Sequence, residues 1–210
     1  NLRESSYNGT IISYTYDARN RLTSEAFDVG DSEYIVQYSY DNASRVTGLT
    51  YPDSSNLDYA YDGLGRVASV GDYADLSYNV NDLVTEMRYA NDVTASYEYD
   101  EANRPSNILV TGDSTLLNLT YSYDLTSSVT SIYESVEDSL ETYTYDLLDR
   151  LSSSEGDWGT RNYGYDSVGN RVSLDTKAAL SNVTYSYDSM DRLVSASGMG
   201  FDWDSNGNML

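Results

Sequence analysis

Cysteine and histidine are both absent from the 210 residues. No disulfide framework, thiolate metal site, thiol nucleophile or imidazole base can therefore form. Proline occurs twice and lysine once, as Lys177. Eleven arginines stand against 34 acidic residues, and the formal charge is -22. Such a chain repels nucleic acid and anionic membranes, which are held through basic patches. No apolar run reaches the length of a bilayer span, so no membrane insertion is expected. Leu, Val, Ile and Phe make up only a fifth of the chain. That composition borders on the disordered class.

Tyrosine tips the balance back toward a folded chain. There are 23 of them, and each can bury a large ring while its hydroxyl finds a hydrogen-bond partner. They are not scattered. Tyr-x-Tyr-Asp occurs eight times: Tyr14-Tyr16-Asp17, Tyr38-Tyr40-Asp41, Tyr59-Tyr61-Asp62, Tyr97-Tyr99-Asp100, Tyr121-Tyr123-Asp124, Tyr143-Tyr145-Asp146, Tyr163-Tyr165-Asp166 and Tyr185-Tyr187-Asp188. Two degenerate copies, Leu76-Ser-Tyr78-Asn79 and Phe201-Asp-Trp203-Asp204, complete a series of about ten units. Arginine follows the aspartate by four residues at Arg21, Arg45, Arg66, Arg104, Arg150 and Arg192, and by five at Arg171. Leu or Val usually comes next; Pro105 breaks the pattern once.

One unit can be read physically. Tyrosines at period two share a face of a strand. The aspartate ends the strand, where its carboxylate accepts a backbone N–H two residues on and nucleates a turn. Gly or Asn supplies the positive φ that a tight reversal needs. Arginine opens the return strand, near enough to pair with the aspartate. Each unit is then a hairpin, and a lone hairpin is marginal in water. Stability has to come from neighbours, as in other repeat arrays. The expected fold is all-β: tandem hairpins forming a continuous spiralling antiparallel sheet, as one array over residues 1–210.

The pattern Tyr-x-Tyr-Asp-x-x-Gly-Arg/Asn-Arg-Leu/Val resembles the YD repeat, also called the RHS repeat. Asp62-Gly-Leu-Gly-Arg-Val67 and Tyr165-Asp-Ser-Val-Gly-Asn-Arg-Val172 are close matches. The resemblance is to bacterial RHS proteins, toxin-complex C components and teneurin shells, and it covers essentially the whole chain. It implies a β-sheet wound into a hollow cocoon that encloses a toxin or serves as an adhesive body. The aspartate self-cleavage motif that ends RHS cores is not found here, so the resemblance implies the sheet rather than cargo release.

The expected role is structural and not enzymatic: an extracellular or cell-surface filament or β-shell. A carbohydrate-binding or adhesive surface module, and a fragment of a toxin-encapsulating cocoon, are the alternatives. The chain opens on a return strand and stops on an outgoing one, so the expected partners are flanking repeats or further copies, head to tail. Glycans are a further expected partner, through Trp158 and Trp203. Four sequons, at Asn8, Asn42, Asn118 and Asn182, mark candidate glycosylation sites. No cofactor is expected beyond weak Ca²⁺ binding in Asp-rich turns such as Asp204-Ser-Asn206-Gly-Asn208.

Overall fold

The computed structural model describes residues 2–7, 10–30, 32–176 and 182–210. Every regular element among them is a β-strand. They fall into two compact units, Asn1–Ser96 and Tyr97–Leu210. The expected Asn8 sequon and Lys177 lie outside the described residues.

The first unit holds β1 (Glu4–Tyr7), β2 (Thr10–Tyr16), β3 (Leu22–Val29), β4 (Ser32–Tyr40), β5 (Val46–Thr50), β6 (Asn56–Tyr61), β7 (Val67–Val70), β8 (Ala74–Tyr78) and β9 (Val84–Tyr89). β10 (Thr94–Tyr99) runs through the boundary between the units. The second unit continues with β11 (Pro105–Thr111), β12 (Thr115–Tyr123), β13 (Val129–Glu134), β14 (Ser139–Tyr145) and β15 (Leu151–Gly156). It ends with β16 (Gly159–Tyr165), β17 (Arg171–Thr176), β18 (Val183–Tyr187), β19 (Leu193–Ala196) and β20 (Met199–Gly200). In the first unit each strand pairs antiparallel with the next, from β1 to the start of β10. In the second the same meander runs from β11 to β20. The all-β antiparallel hairpin class read from the repeat is the class observed.

The strand faces alternate as period two requires. In β6, Leu57, Tyr59 and Tyr61 are half-buried while Asn56, Asp58 and Ala60 are exposed. β18 does the same with Val183, Tyr185 and Tyr187. On the opposite face hydroxyls pair across strands, as in Thr15 with Ser24 at 2.7 Å and Ser186 with Ser195 at 2.7 Å.

Burial is shallow throughout. Ala95 is the only apolar side chain that is buried among the described residues, with Glu134 and Ser154 as buried polar ones. The accessible surface is 13945 Å², against about 9,700 Å² for a compact monomer of the same mass. The difference is sheet surface that a second packed layer covers in an ordinary domain. Packing here runs along the sheet, from hairpin to hairpin.

Each Tyr-x-Tyr-Asp strand turns back in the same way. The aspartate N–H donates to the carbonyl four residues on, as in Asp17 to Arg21 at 2.9 Å, and the residue three on donates back to the aspartate carbonyl, as in Asn20 to Asp17 at 3.0 Å. That third residue always has positive φ: Asn20 61°, Ser44 66°, Gly65 87°, Asp82 62°, Asn103 62°, Ser127 72°, Asp149 57°, Gly169 104°, Asp191 58° and Gly207 81°. A type I turn followed by a left-handed residue is the three-residue hairpin loop with a one-residue bulge. The register shift falls at the second tyrosine, as between Thr15 and Tyr16 or Thr144 and Tyr145. Ser and Asp hold the left-handed position as often as Gly or Asn, where the sequence pattern pointed to Gly or Asn alone.

Candidate functional site: the Asp–Arg–Tyr clasp

Asp62 shows the clasp in full. Its Oδ1 accepts the backbone N–H of Leu64 and of Arg66, both at 2.9 Å. Its Oδ2 accepts Nε and Nη2 of Arg66, both at 2.7 Å. Both carboxylate oxygens are thus committed to donors in the same turn. The same arrangement recurs at Asp17–Arg21, Asp41–Arg45, Asp100–Arg104, Asp146–Arg150 and Asp188–Arg192. Backbone N–H groups of the return strand hold the Asp17, Asp41, Asp62, Asp146 and Asp188 carboxyls below the ordinary carboxylate value, with the guanidinium helping and partial burial opposing. At Asp100 the Arg104 side chain is the larger cause.

The guanidinium then reaches the next repeat. Arg21 lies over the Tyr40 ring at 4.6 Å, Arg45 over Tyr61 at 4.3 Å and Arg66 over Tyr78 at 4.5 Å. In the second unit Arg104 lies over Tyr123 at 4.4 Å and Arg150 over Tyr165 at 4.6 Å. These are cation–π distances. Nη1 of Arg21 and Arg150 also donates to the carbonyls of Asp41 and Asp166, at 3.0 and 3.1 Å.

The tyrosine returns the contact. Its hydroxyl donates to the carbonyl of the residue after the preceding arginine: Tyr40 to Leu22, Tyr61 to Val46, Tyr78 to Val67, Tyr123 to Pro105 and Tyr165 to Leu151, at 2.7–2.9 Å. Tyr16, Tyr145 and Tyr187 donate likewise to Leu2, Val129 and Arg171. Partial burial pushes the Tyr40, Tyr99, Tyr123 and Tyr145 hydroxyls up from their ordinary value. Each of these repeats is therefore fastened to its predecessor by a side chain that spans two hairpins.

The first tyrosine of each pair has a more varied setting. Tyr143 donates to Glu141 and is pushed up to about 12, chiefly by burial. Tyr163 pairs with Ser154 Oγ at 3.2 Å, and burial raises Tyr38. Tyr14, Tyr59, Tyr97, Tyr121 and Tyr185 share the half-buried face.

Two of the eight Tyr-x-Tyr-Asp units depart from the pattern. Asp124 has Ser128 where arginine stands elsewhere, and its Oδ1 accepts from Thr126 and Ser128. Asp166 is served by Asn170, whose Nδ2 donates to Oδ2 at 3.1 Å. Arg171, one residue further along, does not fill the expected place across the turn. It lies over Tyr185 at 4.6 Å and donates to the Tyr185 hydroxyl at 3.0 Å. The extra residue turns its side chain along the sheet.

The indoles expected to contact glycans are built into the wall. Trp203 stands in for the second tyrosine: its Nε1 donates to the Leu193 carbonyl at 2.8 Å and Arg192 lies 5.9 Å from its ring. Trp158 lies so close to Gly156 that a Cβ there would sit 2.9 Å from the ring, and Arg161 lies 5.3 Å from its centroid. Of the described sequons, Asn42 is exposed in a turn. Asn118 Oδ1 accepts from Asn107 at 2.8 Å, and Asn182 Oδ1 accepts from the Thr176 N–H at 3.2 Å. Asp204, the candidate Ca²⁺ turn, gives Oδ1 to Asn206 and Asn208 N–H groups and Oδ2 to Asn208 Nδ2. No cluster of three or more Asp or Glu suited to a metal occurs among the described residues.

One buried acid escaped the sequence pattern. Glu134 accepts the N–H groups of Asn118, Val136 and Glu137 at 3.1, 3.0 and 2.5 Å. Burial would raise its carboxyl, but these donors outweigh it and hold it low. Nothing in the local sequence marks it, because its donors come partly from another strand.

No curated protein is similar enough in sequence to count as a match. Solved structures share the fold. The chain superimposes on the crystal structure of TcdB2-TccC3-Cdc42 with a TM-score of 0.75 at 18% identity, covering 96% of this chain and 14% of that one. It superimposes on the Photorhabdus luminescens Tc holotoxin pore with a TM-score of 0.77 at 17% identity, covering 99% and 14%. TcdB2-TccC3 without its hypervariable C-terminal region gives 0.77 at 17%, covering 98% and 14%. The chain thus spans about a seventh of the length of these chains. The teneurin YD-shell family model matches residues 2–72 and 76–210, and the chain belongs to that family.

Proposed function

We propose that the chain is a structural wall segment of an extracellular or cell-surface β-shell or filament, made of stacked hairpins and without catalysis of its own. The observation that carries this reading is the clasp. Its contacts pass from repeat to repeat, and the sheet they build has almost no core. Such a sheet gains its order by extension along the array, which suits a wall and supplies no enclosed site for turnover. The partners are flanking repeats or further copies that continue the meander. The likeness to TccC3-containing chains favours a second reading, in which the wall is part of a cocoon around a cargo.

Electron microscopy of the purified protein with its native flanking sequence tests the proposal. Ordered filaments or hollow bodies are the expected result. Dispersed monomers with no shell would contradict it.

A further inference from the structure

One clasp has no arginine of its own but keeps the groups that arginine meets in sister repeats. Arg66 touches four of them. They are the Asp62 carboxylate at 2.7 Å, the Tyr78 ring at 4.5 Å, the Asn79 carbonyl at 3.3 Å and the Asp82 carboxylate at 2.6 Å. Asp82 is the left-handed third residue of the next turn. Arg21 and Arg104 reach the same place in their own neighbours, at Ser44 Oγ (3.3 Å) and Ser127 Oγ (3.1 Å). The third residue of these turns therefore faces the arginine of the repeat before.

In the unit that turns at Asp124, the arginine position is Ser128, whose hydroxyl pairs with Thr126 at 3.4 Å. The four corresponding groups are the Asp124 carboxylate, the Tyr145 ring, the Asp146 carbonyl and the Asp149 carboxylate. They stand in the same register. The Tyr145 hydroxyl donates to the Val129 carbonyl at 2.8 Å, as Tyr78 does to Val67 at 2.8 Å. Asp149 has φ 57° and its N–H donates to the Asp146 carbonyl at 3.1 Å, against 62° and 3.2 Å for Asp82 on Asn79. Asp124 gives Oδ1 to its own turn. Its Oδ2 and the Asp149 carboxylate have no partner among the described residues. Burial raises the Tyr145 hydroxyl and the Asp124 charge adds to it, so the two groups lie close. At Tyr40 and Tyr123 the clasp arginine opposes the aspartate in this, and at Tyr145 no cation does. In the other units without a clasp arginine the acid is gone or already served. Asn79 is neutral, Asn170 donates to Asp166 and Asn208 donates to Asp204.

We propose that the Asp124–Tyr145–Asp149 clasp binds a guanidinium group from outside the chain, carried by a partner's arginine or by a small guanidino compound. Two acids near each other would not by themselves name a ligand. The sister repeats do, because the same frame of carboxylate, ring and carbonyl holds a guanidinium at Arg21, Arg66, Arg104 and Arg150. The frame also selects the kind of cation. A planar guanidinium lies flat on a ring while its fork meets a carboxylate, and an ammonium has neither plane nor fork. Serine is shorter than arginine by most of that side chain, so the face of the Tyr145 ring is left to a guest. The turns on either side are open to solvent: Leu125, Leu147 and Asp149 are exposed. The net charge of -22 steers cations toward the surface.

The test titrates the whole chain with propylguanidine, the arginine side chain cut at Cβ, and follows backbone amides by NMR at about 0.15 M salt, where only nearby charges act strongly. Saturable shifts should gather at residues 124–128 and 145–149. Butylammonium, the matching lysine fragment, should bind several-fold more weakly. Ser128→Arg puts the chain's own guanidinium in the frame, so it should abolish binding and raise Tm by about 2–4 °C. Asp124→Asn should weaken binding roughly tenfold. It keeps the turn, since Asn79 Oδ1 accepts the Asn81 and Leu83 N–H groups at 2.9 and 3.1 Å in the sister position. Asp113→Asn, the same charge change at the other end of β12, should leave binding unchanged. If Ser128→Arg fails to fold by circular dichroism, the two aspartate variants decide. A Gly-Gly-Arg-Gly-Gly peptide separates the two sources: if it binds as well as propylguanidine, the guest is a polypeptide arginine, and if only propylguanidine binds, it is a small guanidino compound. Shifts spread evenly over the chain, undiminished binding to a folded Ser128→Arg, or equal weakening by the two aspartate variants would each overturn the proposal.

Discussion

Tyr59 and Tyr61 lie two residues apart on the same face of β6, yet only one fastens repeats together. The Tyr61 hydroxyl donates to the Val46 carbonyl at 2.7 Å, while the Tyr59 hydroxyl has no partner among the described residues. Tyr61→Phe keeps the ring and the Arg45 guanidinium stacked on it at 4.3 Å, and removes only the oxygen. The Val46 carbonyl then loses a partner inside a half-buried contact. The expected loss is about 1 kcal/mol, near the middle of the range for a neutral hydrogen bond. In a chain of this size that is a fall of about 2–4 °C in Tm. Tyr59→Phe should stay within about 0.5 kcal/mol of the parent. Urea denaturation followed by circular dichroism measures both, with m-values compared to check that the unfolding transition is unchanged. Equal destabilisation by the two substitutions, or a neutral Tyr61→Phe, would refute the clasp as the source of coupling between hairpins.

The clasp aspartates titrate below their ordinary value when folded. Their stabilisation is present above the unfolded value near 3.8 and is lost as pH falls through the lower folded values, so thermal melts should hold near neutrality and fall steeply below about pH 4. Tyr143 is raised from 10.0 to about 12, so its share of stability is present below pH 10 and lost as pH rises toward 12; Tyr143→Phe should flatten that alkaline loss in ultraviolet-monitored titration. Gly169 has φ 104° and open space around its Cβ position. Gly169→Val therefore carries a purely backbone cost of about 1–2 kcal/mol, read by denaturation, while Asp149→Gly at φ 57° should be neutral or slightly stabilising.

The strands were legible because Tyr-x-Tyr-Asp writes both the period and the stop into adjacent residues. The Asp62–Arg66 pair was legible for the same reason, since a four-residue turn brings its ends together. Pro105 looked like a break, but it opens β11 and still offers its carbonyl to Tyr123. What stayed hidden depends on residues far apart in the chain. The bond from Tyr40 to Leu22 spans 18 positions, and only the stacking of hairpins brings those atoms together. Ser44 and Asp149 gave no sign of positive φ, because the turn imposes it on whatever residue stands third. Arg171 was misplaced because the added Asn170 takes over the aspartate and leaves the arginine to the neighbouring ring.

A hairpin of this chain is held by its neighbours and not by itself. Circular dichroism of a synthetic peptide covering residues 56–70, compared with the whole chain, puts that to the test, because the peptide contains β6, its turn and β7 with the Asp62–Arg66 pair intact. The peptide should be unfolded under conditions where the whole chain gives a full β-spectrum and a cooperative melt. A peptide that folds alone with comparable stability would show that the hairpin needs no neighbour, and the clasp would lose its role.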